Sequence, residues 1–251
     1  MTNPSKAYAA RGPLTNEEID LMLRAADALK TEYFRKRAKA VVAMFKKFGK
    51  RRSEIARLAV DDLKINEKSQ ELEVTFTLSK KHKRGLHQFL KFCEKQNPEV
   101  LDKPLPEIKA LWKEWQLTEQ GHTVKNDTSL QSISLDDKYT VFILDYLQYV
   151  HDAFRDAKFL FPSGTEVFGG AYVVFPDAYL SGSQLLRIIK PLNRTAWLHL
   201  FRDTKGAEIA KNEGRTIDAV YMVKENLDLE NEETAYRYIR RFAALKQPTE
   251  K

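Results

Sequence analysis

Only one stretch of this chain alternates clearly. Leu72, Val74, Phe76 and Leu78 are interleaved with Glu71, Glu73, Thr75 and Thr77, the two-residue period of a strand with one face buried and the other wet. In most other segments apolar residues return every three or four positions, the period of helices that bury one side. One clear strand among long helical patterns predicts a mainly α domain with a small antiparallel β-sheet, an α+β arrangement. The partner strand is sought in Ser129–Leu135, SLQSISL, and a helix is predicted over Tyr139–Phe154.

The helices carry their own boundary signals. After a polar arm, Met1–Pro13, Thr15 and Glu18 have the spacing of a capping box, and Leu14 with Ile19 that of a hydrophobic staple. The helix they start runs through Leu21, Leu23, Ala26 and Leu29. A second covers Tyr33–Phe48, with Ala38, Val41, Val42, Phe45 and Phe48 set among Arg35, Lys36, Arg37, Lys39, Lys46 and Lys47, and Gly49 placed to cap its end. Lys50-Arg51-Arg52-Ser53-Glu54 then turns into a third helix with Ile55, Leu58 and Ala59 inward. An arginine at a helix start has backbone N–H groups beside it, so a phosphate brought there meets two kinds of donor. Glu54 is placed to orient that arginine.

Charge narrows the class of partner. With 42 Lys and Arg against 35 Asp and Glu, the chain has a net charge of +7 and a pI of about 9.2, which favours a polyanion such as nucleic acid or an anionic membrane surface. Cys93 is the only cysteine among 251 residues, which excludes an internal disulfide and a cysteine-based metal site. No apolar run approaches the roughly 18 residues of a membrane span, and MTNPSKAYAARG lacks the apolar centre of a signal peptide. A cytoplasmic protein is expected. Ser79-Lys80-Lys81-His82-Lys83-Arg84, at the far end of the alternating strand, reads either as a solvated loop or as a basic tip that reaches into a DNA groove.

Two C-terminal segments carry residues suited to phosphate chemistry. Thr195–Asn212 reads as an amphipathic helix with His199 and Arg202 on one face, and Trp197, Leu198, Phe201, Ile209 and Ala210 supplying buried contacts. Arginine offers a planar fork of donors to phosphate oxygens, and a neighbouring histidine donates a hydrogen bond or moves a proton. Further on, Thr234-Ala235-Tyr236-Arg237-Tyr238 places two tyrosines on a helix.

Taken in order, Gly49-Lys50-Arg51-Arg52-Ser53-Glu54, the lysines after the strand, His199-x-x-Arg202 and Thr234-x-x-x-Tyr238 resemble the catalytic domain of the tyrosine recombinase (lambda-integrase-like, phage integrase) family, over roughly Leu14 to Phe242. The resemblance implies the tyrosine recombinase catalytic-domain fold, of the DNA breaking-rejoining type. It puts the catalytic set at Arg51, Lys80, His199, Arg202 and Tyr238, with Lys81 or Lys83 as alternatives to Lys80, and Glu54, Lys224 and Leu229 in support. Contacts to DNA are expected from Lys50, Arg52, Lys80, Lys81, Lys83 and Arg84. The implied reaction cleaves and rejoins DNA through a covalent 3′-phosphotyrosyl intermediate without metal or cofactor. The implied partners are double-stranded DNA and further copies of the chain, as a tetramer on paired sites, with no membrane, in a prokaryotic cytoplasm as a product of the cell, a virus or a mobile element. Two alternatives remain open, a type IB topoisomerase-like enzyme and a DNA-binding module that has lost catalysis.

Three departures from the family pattern shape further expectations. Gly85–Thr128 is inserted between the paired strands, with helical patterns over Leu86–Lys95 and Ile108–Leu117 around Pro104 and Pro106, and with Trp112 and Trp115 set to pack on the domain or on a partner. It is expected to elaborate a catalytic domain spanning residues 14–251, without a core of its own. Leu229 stands where the family has a histidine or tryptophan, so either Lys224 or Asn226 covers that contact or Leu229 packs beneath the phosphate. Only Met1–Pro13 precedes the first helix, so the chain reads as an isolated catalytic domain, where many members also carry a helical domain that clamps the other side of DNA.

Overall fold

The computed structural model describes residues 12–83, 85–118, 120–167, 171–213, 217–229 and 232–244, with side chains described throughout except at 79–83, 122–127 and 240–244. The chain divides into two compact units, one formed by Met1–Phe76 with Ser129–Lys251 and the other by Thr77–Thr128.

In the larger unit α1 (Asn16–Asp27) begins as its sequence predicts. Thr15 Oγ1 accepts from the Glu18 N–H at 3.2 Å while Glu18 Oε2 accepts from the Thr15 N–H at 3.0 Å, and Leu14 and Ile19 are both buried. Thr15→Ala should therefore lower the unfolding free energy by about 1 kcal/mol in urea titrations, the usual worth of an N-cap. The start of this helix is also tied across the fold, since the Leu14 N–H donates to Thr204 Oγ1 at 2.8 Å.

α2 (Glu32–Phe48) is the element against which the others pack. Its run from Ala40 to Phe45 is buried on every side, and it touches α1, α6 (Lys138–Ala153), α7 (Gly182–Leu192) and α8 (Leu198–Asn212). Gly49 ends it with φ at 57°, a left-handed conformation that glycine adopts without strain. A Cβ there would stand 2.8 Å from Lys205 Cβ and 3.0 Å from a Leu227 methyl, so the glycine also permits α8 and the 227–229 turn to close on this point. The helix after it, α3 (Arg52–Ala56), is shorter than predicted. Ile55, Ala56 and Leu58 are buried, but Ala59 has already left the helix to bridge Phe159.

The alternating stretch lies within β2 (Glu71–Lys83), where Leu72, Val74, Phe76 and Leu78 are buried. β2 is the centre of a three-stranded sheet in the order β1-β2-β3, with β3 at His122–Ser134, so the predicted partner is confirmed. The edge strand β1 (Leu63–Asn66), antiparallel to β2 with Leu63 opposite Val74, is not anticipated. Its four residues are too few for alternation to show. Nor is the antiparallel hairpin of β4 (Pro162–Glu166) and β5 (Tyr172–Tyr179), which leads into α7. The result is mostly helix with a small antiparallel sheet, as predicted.

The smaller unit corrects one expectation. α4 (Leu86–Gln96), a 3-10 turn (Pro98–Asp102) and α5 (Leu105–Trp115) enclose a hydrophobic cluster of Phe89, Cys93, Val100, Ile108 and Trp115. The insertion thus has a core of its own. The two helices turn their apolar faces on each other, with the Trp115 ring 5.3 Å from Phe89 and 5.4 Å from Phe92, and Trp112 packs half-buried on the same cluster.

Candidate active site

The turn that follows Gly49 presents Arg51. Its backbone N–H donates to Glu54 Oε2 at 2.6 Å and its Nη1 to Glu54 Oε1 at 2.8 Å, so one buried carboxylate fixes both the helix start and the side chain. Arg51 itself remains 38% exposed and its guanidinium keeps donors for another partner.

Arg202 approaches from α8. It is only 2% exposed, its Nη1 donates to the Gly49 carbonyl at 3.0 Å, and its Nη2 donates to the Leu227 carbonyl. The helix is not amphipathic as its sequence suggests. Leu198, Leu200, Phe201, Arg202, Asp203, Thr204, Gly206 and Ile209 are all buried, because α2, α9 (Ile217–Asn226) and α10 (Glu232–Ala244) surround it. Burial pulls the Arg202 pKa down, Tyr238 opposes this, and Arg51 adds to it. Two guanidinium groups close enough to disfavour each other's charge make a place where an anion would relieve the repulsion.

Tyr238 comes from α10. It is half-buried and lies close enough to Arg202 and Arg51 for both cations to act on its hydroxyl. Burial pushes its hydroxyl above the ordinary tyrosine value, helped by Asp203 and opposed by both arginines, so the phenol is protonated at neutral pH. Its ring lies against Gly206, where a Cβ would stand 2.9 Å from Tyr238 Cδ1. Tyr236, two residues earlier, is 41% exposed. His199 lies one turn before Arg202 on α8, 62% exposed, with its Nε2 3.6 Å from Oδ1 of buried Asp203.

The remaining expected residues separate into distinct groups. Leu229 packs on the cluster of Ile209, Ala219, Val220, Val223, Leu227, Ala235 and Ile239. Lys224 pairs with Glu232 at 3.2 Å, and Asn226 Nδ2 donates to the Met222 carbonyl, so both are engaged within their own corner of the fold. Arg52 is exposed, its stem lying where a Cβ on Gly182 would fall. Lys80, Lys81 and Lys83 belong to β2, but their side chains lie outside those described, and Arg84 lies outside the described residues.

Lys50 corrects the sequence reading. A surface DNA contact was expected, yet its side chain is 0% exposed. Its Nζ is paired with Asp228, donates to Ser129 Oγ at 3.0 Å, and sits 5.0 Å from the centre of the Phe76 ring. Burial lowers its pKa, and the Asp228 carboxylate works against that. Asp228, Asp203 and Gly206 were missed from sequence, because the groups they meet, Lys50 and Tyr238, stand far from them along the chain. Among the described residues no group of three or more His, Cys, Asp or Glu is arranged to hold a metal ion, and no helix is long and apolar enough to cross a membrane.

Solved structures share this architecture. XerA recombinase superposes with a TM-score of 0.51 at 13% identity, over 95% of this chain and 66% of its own. The fold is that of recombinases. XerH site-specific recombinase bound to its difH substrate, in a pre-cleavage complex, matches with a TM-score of 0.51 at 14% identity, over 94% of this chain and 53% of its own. A post-cleavage complex of XerH on a palindromic difH substrate gives the same score and identity over 91% and 49%. This chain therefore spans from about half to about two thirds of the length of these proteins. No family model and no curated protein matches the sequence.

Proposed function

We propose that this protein is a site-specific DNA recombinase that cleaves and rejoins double-stranded DNA through a covalent 3′-phosphotyrosyl intermediate. The observation that carries the proposal is the convergence of Arg51, Arg202 and Tyr238, from three separate elements, on one place. Two arginines at that place hold the non-bridging oxygens of a phosphodiester, and their donors become most effective as charge gathers on a pentavalent phosphorus. The Tyr238 oxygen attacks in line as its proton passes to water, the bond from phosphorus to the 5′-oxygen breaks, and a lysine of the 80–83 group gives that oxygen a proton. His199 adds a donor from the exposed edge. Attack by the 5′-hydroxyl of a second strand reverses the sequence and releases Tyr238, so no metal, nucleotide or other cofactor is consumed. The DNA-bound XerH structures and the chain's positive charge support DNA as the partner, with Arg52 and the lysines of β2 expected along the backbone. Assembly as a tetramer on paired sites belongs to the same proposal.

The test is a duplex nicked close to the cleavage point, which loses its short 5′-hydroxyl fragment and so cannot be rejoined. Covalent attachment of the chain to DNA, resistant to denaturing detergent, is the expected result. A chain that binds duplex DNA and never attaches would leave only a binding module.

The Tyr238 ring offers a finer check. Gly206→Ala gains helix propensity of about 1 kcal/mol, yet its methyl occupies space that the ring now fills. Overpacking of about 1–3 kcal/mol offsets that gain, so the variant should melt no more than a few degrees below the parent while attaching to DNA more slowly by roughly ten- to a hundredfold, since small displacements of a nucleophile are costly. Single-turnover cleavage alongside thermal melts would measure both.

A further inference from the structure

Lys50, fully buried, forms an ion pair with Asp228, whose side chain is nearly so. Asp228 follows Leu227, whose carbonyl accepts from Arg202, and Lys50 precedes Arg51. The pair therefore joins the turn that presents the first arginine to the turn that holds the second. Ser129 of β3 supplies a third attachment through its hydroxyl, and the Phe76 ring covers the ammonium from β2. Asp228 adopts φ at 45°, where glycine is at ease and aspartate is one of the few other residues tolerated. What the position gains from aspartate over glycine is the carboxylate. Lys50 is anomalous, since an unpaired ammonium so deeply buried would be strongly disfavoured.

We infer that the Lys50–Asp228 pair is a positioning device, a tie that holds the 227–229 turn and α10 in register with the Arg51 turn so that Tyr238 faces the space between Arg51 and Arg202. The inference rests on the function proposed above. Neither residue touches the reacting phosphate. They act through the backbone on either side of them, and Leu227 transmits the effect because it belongs to the same cluster as Ala235 and Ile239 of α10. Tyr238 lies between those two residues in the sequence, so a shift of the turn moves the hydroxyl relative to both guanidinium groups.

Single substitutions would strand one buried charge and are expected to unfold much of the domain. The informative variant is Lys50→Met with Asp228→Gly. Methionine replaces the lysine stem against Phe76, glycine accepts the left-handed turn, and both charges leave together. Two measurements on the intact chain then separate the outcomes. Native-state hydrogen exchange should show the Tyr236–Ile239 amides losing protection by about tenfold or more, while the Ala40–Phe45 amides of α2 keep theirs. Attachment to the nicked duplex should slow by about tenfold or more, with the dissociation constant for DNA unchanged, because geometry and not ground-state binding is altered. Parent-like attachment would overturn the inference, as would slower attachment without any change in α10 exchange, which would make the pair act by another route. Equal loss of protection in α2 and α10 would also overturn it, by making the pair a general stabiliser. If the parent chain itself never attaches to DNA, the proposed function fails and the exchange measurement alone decides whether the tie exists.

Discussion

Arg51→Ala and Arg202→Ala should each reduce covalent attachment to DNA by a hundredfold or more, and they should differ in what they do to the fold. A preorganised donor aimed at developing charge is worth roughly 3–4 kcal/mol when removed, a factor of about 10²–10³ in rate. Binding to non-specific DNA should survive in both, because each is one cation among many on a chain with a net charge of +7. Arg51 is over a third exposed, but the Glu54 carboxylate it pairs with is buried, so its loss leaves Glu54 Oε1 without that donor and should cost about 1–2 kcal/mol of stability. Arg202 is buried, and without it the Gly49 and Leu227 carbonyls lose their donor. An orphaned buried acceptor costs about 1–3 kcal/mol, so Arg202→Ala should be destabilised by about 2–5 kcal/mol. Arg202→Lys should not restore cleavage, since an ammonium cannot reach two carbonyls and a phosphate with one planar fork. Urea titration beside attachment kinetics would check both halves. Arg51→Ala attaching at near the parent rate would remove that residue from the site.

What was legible in the sequence was written locally. The Thr15–Glu18 box, the Gly49 cap and the Leu72–Leu78 alternation each use residues within one turn or one strand, and their geometry follows from that spacing alone. The register of Arg51 on Glu54 was readable for the same reason, as the two are three residues apart. Lys50 was not. In a run of Lys-Arg-Arg it reads as surface, and the carboxylate that allows its burial stands at Asp228, far along the chain. The same holds for α8, where Asp203 and Thr204 read as a solvated face and are enclosed by elements whose sequence gives no sign of where they pack. The insertion's core was hidden differently, because an amphipathic helix announces that a face is buried without naming what covers it.

The choice of nucleophile carries the second large effect. On a helix successive residues turn by ~100°, so Tyr236 and Tyr238 point about 200° apart and cannot serve the same phosphate. Tyr238 is the one that interacts with Arg202 and Arg51, while Tyr236 is exposed on the opposite side of α10. Tyr238→Phe keeps the ring against Gly206 and removes only the oxygen, so the fold should hold and attachment should vanish, because no bond to phosphorus can form. Tyr236→Phe should attach at the parent rate. The hydroxyl is not ionised in advance, since burial holds its pKa above the free value despite two neighbouring cations. Its proton must then leave as the phosphate is attacked, and cleavage by the parent should not level off below about pH 10, the ordinary tyrosine value, on account of this group. The same raised pKa makes a statement about stability. The folded chain holds this proton more tightly than the unfolded one, so the contribution is complete below about pH 10 and is lost as pH rises toward the folded value. Tyr238→Phe should therefore lose less stability than the parent in strong alkali. Mass spectrometry of the peptide bound to DNA, with both variants in parallel, decides the assignment. An adduct surviving in Tyr238→Phe and missing in Tyr236→Phe would turn α10 by two residues and dissolve the link between Tyr238, Arg202 and Gly206 on which the proposed chemistry depends.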